Sequence, residues 1–229
     1  MTMIEDATLS IDIQGYWHSG TGRGSGSYLD AIVDTSHDGL PYLSGRHLKG
    51  LLRDAVHKAE TWGQLKNFPL PPQGQSVTEV LFGARFADPE TRVPRDETTQ
   101  GMLRIGDARL PETIRRWLSQ PAERQNYARY LQRTISSTAI NAATGVAKER
   151  SLRGIQVTIP LELQATISFG DPTRAAKNQV EPQSPSDRQI HDRWPDILEH
   201  CLPLIRAVGA QRGRGLGRAS LKLSREGRS

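Results

Sequence analysis

The sequence predicts an α+β fold of the ferredoxin-like βαββαβ type, and three observations carry that reading. Leu9, Ile11 and Ile13 alternate with polar residues, the period of a half-buried strand. Leu48, Leu51, Leu52, Ala55, Val56 and Ala59 then fall on one face of a helix, and Met102–Leu110 supplies a second strand. The same order recurs in the second half: an alternating run from Ile155 to Phe169, apolar residues at helical spacing from Trp194 to Val208, and a short closing strand, Ala219–Leu223. Strand, helix, strand, twice over, matches a βαββαβ unit with insertions.

Composition bounds the class. A chain of 229 residues with 36% hydrophobic residues can form one elaborated domain, predicted over residues 1–229 with insertions near 67–100, 136–153 and 171–193. No run approaches the roughly 20 apolar residues of a membrane helix, and Met-Thr-Met-Ile-Glu-Asp does not resemble a signal peptide. A cytoplasmic protein with no membrane partner is expected. Cys201 is the only cysteine, which excludes an internal disulfide or a multi-cysteine zinc site, and its spacing with Leu198, Leu202 and Ile205 predicts core. Residues 206–229 carry seven Lys or Arg against Glu226, a local +6 within a net +5, so the rest of the chain is near −1. Basic charge placed this way suits nucleic acid, because neutralising phosphates releases counterions; a solvated tail explains the same charge.

Taken in order, the first strand extends towards Trp17 with Gly15 as a bulge position, then enters His18–Ser27, with four glycines in ten residues. That stretch lacks the Gly-Lys-Ser/Thr ending of a phosphate-binding loop, and Ser25 stands where a dinucleotide motif needs its third glycine, so nucleotide binding is rejected. Tyr28–Asp34 reads as a short strand with Asp30 at its start. The turn Pro41–Gly45 opens a helix over 45–62, where unpaired amides at Ser44 and Gly45 beside Arg46, His47 and Lys49 offer an anion site. A simple Ser44 cap on a solvated helix explains the turn as well. Three prolines break residues 67–74, a short helix spans Ser76–Phe82, and residues 84–100 form a surface excursion. Asp107, in the second strand, reads as a structural hydrogen-bond partner. Residues 111–133 favour helix, and 134–154 are small, polar and weakly periodic. Pro160 predicts a bulge or an edge position in the long strand 155–169. Residues 171–192 suit an exposed loop, after which a helix has Pro195 in its first turn and a kink at Pro203.

The phrase Pro41-Tyr-Leu-Ser-Gly-Arg-His-Leu-Lys-Gly50 resembles the signature turn and helix of the RAMP superfamily of CRISPR RNA-binding proteins. Val208-Gly-Ala-Gln-Arg-Gly-Arg-Gly-Leu-Gly-Arg218 resembles that superfamily's glycine-rich loop, and Leu81-Phe-Gly83 is a further RAMP-like phrase. Asn141-Ala-Ala-Thr-Gly-Val-Ala147 is similar to a segment of type III backbone subunits that leads into a projecting hairpin, with Ala142 in place of the usual arginine. The sequence departs from the family pattern at Ser44, usually proline, and at Arg46-His47, often two small hydroxyl residues.

The resemblance implies a ferredoxin-like, RRM-like fold with a projecting hairpin. It also implies a repeating subunit that polymerises along a CRISPR guide RNA and holds the guide–target duplex, with target RNA, other effector subunits and further copies of itself as partners. The expected RNA-binding residues are Ser44, Gly45, Arg46, His47, Lys49, Arg53, Arg212, Gly213, Arg214, Gly215 and Arg218. The glycines let backbone amides approach phosphates, and the arginines supply charge and bidentate donors. Type III relatives cut target RNA with an aspartate between the first strand and the signature turn; Asp30 lies in that interval, with Asp34 as the alternative. The same Asp30 position also suits a cap for the strand at Ala31. A divalent ion such as magnesium is the cofactor a cleavage role would use, although Asp30, Asp34 and Asp107 lack a diagnostic metal spacing. Two other readings stand beside this one: a stand-alone guide-processing ribonuclease using His47 or His18, and an inactive RNA scaffold.

Overall fold

A computed structural model of the chain describes residues 6–22, 24, 29–71, 76–83, 101–118, 127–169 and 185–225. Strand β1 (Ala7–Ile13) is central because its alternate side chains have nowhere polar to go: Leu9, Ile11 and Ile13 are fully buried. Each contributes roughly 1.5–3 kcal/mol by leaving water. Two further strands flank it, β5 (Leu161–Phe169) and β6 (Ala219–Arg225), with Ile11 opposite Leu163 on one side and Leu221 on the other. The short β2 (Leu103–Ile105) pairs with the far edge of β5. Every pairing is antiparallel, and the spatial order β2-β5-β1-β6 is the order that a βαββαβ unit adopts.

Helix α1 (Gly45–Thr61) buries the predicted stripe, including Leu48, Leu52 and Val56, against the sheet. The chain's second long helix, α4 (Pro185–Cys201), lies in the same core through Ile190, Trp194, Ile197 and Leu198. Between them in sequence come α2 (Val77–Phe82) and α3 (Glu112–Leu118). A reciprocal capping box starts α2: Ser76 Oγ accepts from Glu79 N at 3.1 Å, and the Glu79 carboxylate accepts from Ser76 N at 3.1 Å. Cys201 is core, as its spacing predicts, and burial, with a smaller contribution from Glu60, pushes its thiol pKa up to about 12.

Several expectations need correction. The run 155–169 is two strands in two sheets: β4 (Arg153–Thr158) pairs with β3 (Gln132–Ser137), and β5 begins only after Pro160. Pro160 has no ladder donor, so the chain changes sheets there, and Ile159 N instead donates to Leu131 O at 2.9 Å. Of the helix expected over 111–133, Glu112–Leu118 is α-helix, Ala128–Leu131 is a 3-10 turn and residues 119–126 lie outside the described residues, while Gln132–Ser137 is strand because pairing with β4 outweighs local preference. Residues 29–34 make only isolated bridges, Ala31 with Ile155 and Gly20 with Val33, not the continuous strand expected over 28–34. Regular pairing in 102–110 is confined to Leu103–Ile105. The second long helix starts at Pro185, so it takes up part of the insertion placed at 171–193, and Pro195 lies inside it. That helix ends at Cys201, and Leu202–Leu204 forms a 3-10 turn containing Pro203 in place of a kink. The excursion at 84–100 and the first part of the 171–192 loop lie outside the described residues.

The β3–β4 ribbon carries the 138–152 tip away from the core. Ile140, Val146 and Leu152 are 59%, 62% and 70% exposed there, so this hairpin buries little of its own apolar surface.

Candidate nucleic-acid interface

The signature turn is built by its neighbours. Ser44 is extended (φ −64°, ψ 140°), and its Oγ accepts from His47 N at 3.3 Å, a side-chain cap. Gly45 N donates to Asp107 Oδ1 at 2.9 Å, which gives Asp107 the structural role expected of it. A Cβ on Gly45 would stand 2.2 Å from Ile105 O, so only glycine lets α1 start this close to β2. Two of the first helix amides are thus taken internally. What faces outward is the side of α1 that presents Arg46, Lys49 and Arg53, with Arg46 exposed and Lys49 and Arg53 half-buried. Burial, then the charge of Arg53, lowers the pKa of Lys49, and the negative charge of a phosphate beside it would act in the opposite sense.

The glycine-rich loop is anchored at both ends. Val208 N donates to Gly217 O and Gly217 N to Tyr16 O, each at 2.8 Å, and Ala210 N donates to His18 O at 2.7 Å. Gly217 has φ +75° and a Cβ there would meet Val208 O at 1.9 Å, so this closure requires glycine. Within the closure, Arg212–Arg214 form a 3-10 turn, and Arg212, Gly213, Arg214, Gly215 and Arg218 are all exposed. No ion pair to Arg212, Arg214 or Arg218 occurs among the described residues, so their charge is available to a ligand.

One contact joins the two motifs. Gly209 N donates to His47 Nε2 at 3.0 Å, linking positions 162 residues apart. The acceptor role requires His47 to be neutral at Nε2, and burial, with Arg212 adding to it, lowers the His47 pKa. His47 therefore clamps the loop onto the helix, and its Nε2 lone pair is engaged. His18 is buried and donates from Nδ1 to Gln156 O at 2.7 Å, between the loop and the hairpin. His47 is thus held as a structural acceptor, and His18 is held through Nδ1 in a buried position.

The aspartates differ. Asp30 is exposed at the root of the hairpin: its N–H donates to Gly154 O at 2.8 Å, and its Oδ2 accepts from Gly154 N at 3.1 Å. Asp34 Oδ2 accepts from the Tyr42 hydroxyl at 2.7 Å, and that bond raises the Tyr42 pKa. Asp30 is thus the carboxylate with surface to offer, beside the hairpin instead of at a strand cap. Among the described residues no group of three or more His, Cys, Asp or Glu is placed to hold a metal ion.

Tyr16 was not singled out by the sequence reading, yet it lies on this edge, 44% exposed, with its carbonyl bonded to the loop at Gly217. Strand parity contains the signal: Leu9, Ile11, Ile13 and Trp17 point inward, so residue 16 is out of phase. The open sheet face, by contrast, presents Ser10, Asp12, Glu162, Thr166 and Lys222 and no aromatic side chain among the described residues. Base stacking on the sheet, as in RRM domains, has no platform here.

An antiparallel ferredoxin-like sheet, a glycine turn opening α1 and a glycine-rich loop before the last strand define a RAMP-type domain. The RAMP superfamily model matches residues 11–220, and the chain belongs to that superfamily. No curated protein matches the sequence. Among solved structures, the chain is similar to one in the Type III-B Cmr-beta complex bound to cognate target RNA, at 8% identity and a TM-score of 0.63, covering 95% of this chain and 96% of that one. It is also similar to a chain of Cmr-beta in the apo state, at 9% identity and a TM-score of 0.56, covering 97% and 98%. At these identities the likeness is one of fold. No helix among the described residues is long and apolar enough to cross a membrane.

Proposed function

We propose that this chain is a repeating backbone subunit of a type III CRISPR ribonucleoprotein in the cytoplasm. It forms one domain that grips guide RNA and the guide–target duplex, assembling with other effector subunits and further copies of itself. The observation that carries this reading is the Gly209–His47 bond, which unites the signature helix and the glycine-rich loop into one basic edge. Arg46, Lys49 and Arg53 on one side and Arg212, Arg214 and Arg218 on the other contact phosphates. Ser44, Gly45, His47, Gly213 and Gly215 shape the backbone that holds them. RNA gripped this way is bound through its backbone and shape, while base pairing supplies sequence. Superfamily membership and the likeness to chains of a complex bound to target RNA support the same reading.

In this reading the projecting hairpin, with Asp30 at its root, meets the duplex or the next subunit. Asp30 is the proposed cleaving carboxylate: RNA supplies its own 2′-hydroxyl, and an aspartate can take that proton once the phosphodiester is held in line. The test is purification with the neighbouring gene products, followed by sequencing of bound RNA. Recovery of repeat-derived guides with several sister subunits is expected. A lone protein that cuts repeat RNA unaided would support the processing-ribonuclease reading, and a protein free of RNA would overturn both.

A further inference from the structure

We infer that the surface between α3 and the root of the hairpin is a second RNA-contact site, a stacking platform for unpaired bases; this rests on the RNA-binding reading above. Large aromatic side chains left in water need a reason, and three cluster here. Trp117 is 47% exposed, Tyr127 44% and Tyr130 51%, and the Trp117 and Tyr127 rings lie 5.2 Å apart at 39°. The charge around them is net basic. Arg129 lies over the Tyr130 ring at 4.9 Å and donates to its hydroxyl at 3.0 Å, while Arg133 Nη1 donates to the carbonyls of Tyr130 and Gln132. Arg115 and Arg116 are opposed by Glu112, and residues 111–133 as a whole sum to +3.

Exposed rings interleaved with guanidinium groups form the composition that holds single-stranded nucleic acid, since every base has a stacking face and every linkage a charge. A protein partner would have to bring its own acidic surface, whereas RNA meets both features at once. The platform is also continuous with the basic edge. Leu131 O accepts from Ile159 N, Thr158 exchanges backbone bonds with Trp17 at 2.7 and 3.1 Å, and Tyr16 O accepts from the glycine-rich loop at Gly217. Three adjacent backbone segments therefore connect Tyr130 to the loop, and Tyr16 stands between them. A strand leaving the phosphate-binding edge in this direction would meet exposed aromatic rings.

The test uses a fluorescein-labelled uridine-rich single-stranded RNA and a guide–target duplex as probes of the full chain. The double variant Trp117→Ala, Tyr127→Ala should bind the single strand at least 5-fold more weakly, up to roughly 100-fold for one lost stacked base. The duplex should be affected less. The pair Trp117→Phe, Tyr127→Phe should stay within about 2-fold of the native chain, yet lose the part of the RNA-induced quenching of tryptophan emission that Trp117 provides. Unchanged single-strand affinity in the alanine pair, or unchanged affinity with lost self-association, would overturn the inference, the latter assigning the patch to a protein neighbour. Arg212→Ala, Arg214→Ala is the control. If that variant loses RNA and the alanine pair does not, only the platform falls; if the native chain binds neither probe, the RNA-binding reading falls with it.

Discussion

The same substitution at two glycines of α1 should have opposite effects, because one glycine is required by contact and the other is not. Gly45 begins the helix against β2: an added methyl would lie 2.2 Å from Ile105 O and 2.9 Å from Gly106 C and O, all backbone atoms that cannot swing aside. Alanine gains about 1 kcal/mol over glycine in a helix. Against that stand roughly 1–3 kcal/mol or more for overpacking and about 0.5–1.5 kcal/mol if the 2.9 Å bond from Gly45 N to Asp107 is broken. The net for Gly45→Ala is a loss of about 0.5–3.5 kcal/mol, a fall in Tm of about 1–14 °C for a chain of this size. Gly50 is exposed, with nothing within 4 Å of its would-be Cβ, so Gly50→Ala should gain about 0.5–1 kcal/mol and raise Tm by about 1–4 °C. Thermal unfolding followed by circular dichroism at 222 nm reads both. Shifts of the same sign, or a neutral Gly45→Ala, would refute the close approach of α1 to β2.

Other outcomes follow from single contacts. The His47 pKa is lowered in the folded chain, so the unfolded chain binds more protons as pH falls from its ordinary value near 6.5. Stability should be full above that value and decline below it, and His47→Gln, which can still accept from Gly209 N, should decline less between pH 6.5 and 5; identical pH profiles would remove His47 as the clamp. Asp30→Ala should cost about 0.5–1.5 kcal/mol through the lost Gly154 bond, whereas Asp30→Asn keeps an acceptor and should cost less. Target cleavage by assembled complexes should be absent in both, and cleavage at the native rate by Asp30→Asn would show that its charge is not used. With its pKa near 12, the Cys201 thiol should resist iodoacetamide at pH 8 until the chain unfolds; rapid native labelling would place it outside the core.

The fold was legible wherever periodicity is strong. The alternation around Ile11 and Ile13 and the stripe through Leu48, Leu52 and Val56 specify β1 and α1 because each burial face is fixed by geometry. Strand β3 was not legible. Gln132–Ser137 has four exposed positions of six and no buried face, so it takes its structure from pairing with β4. Likewise α4 begins in Pro185–Asp192, where Ile190 is the first apolar residue, and a helix turn with little to bury leaves no stripe. At the site, the glycines and arginines could be read as loop chemistry, and Asp107 as a hydrogen-bond partner. That Asp107 holds Gly45, or that His47 accepts from Gly209, depends on chain segments separated by 62 and 162 residues. Pairings of that range come from topology, which local spacing does not encode.

The most direct test of the basic edge is the salt dependence of guide-RNA binding by the native chain and by Arg212→Ala, Arg214→Ala. Each lost phosphate contact should reduce the slope of log K against log salt by about 0.7–0.9, so the double variant should bind more weakly with a slope smaller by about 1.5. Equal affinity and an equal slope would contradict the assignment of the glycine-rich loop as the surface that holds RNA.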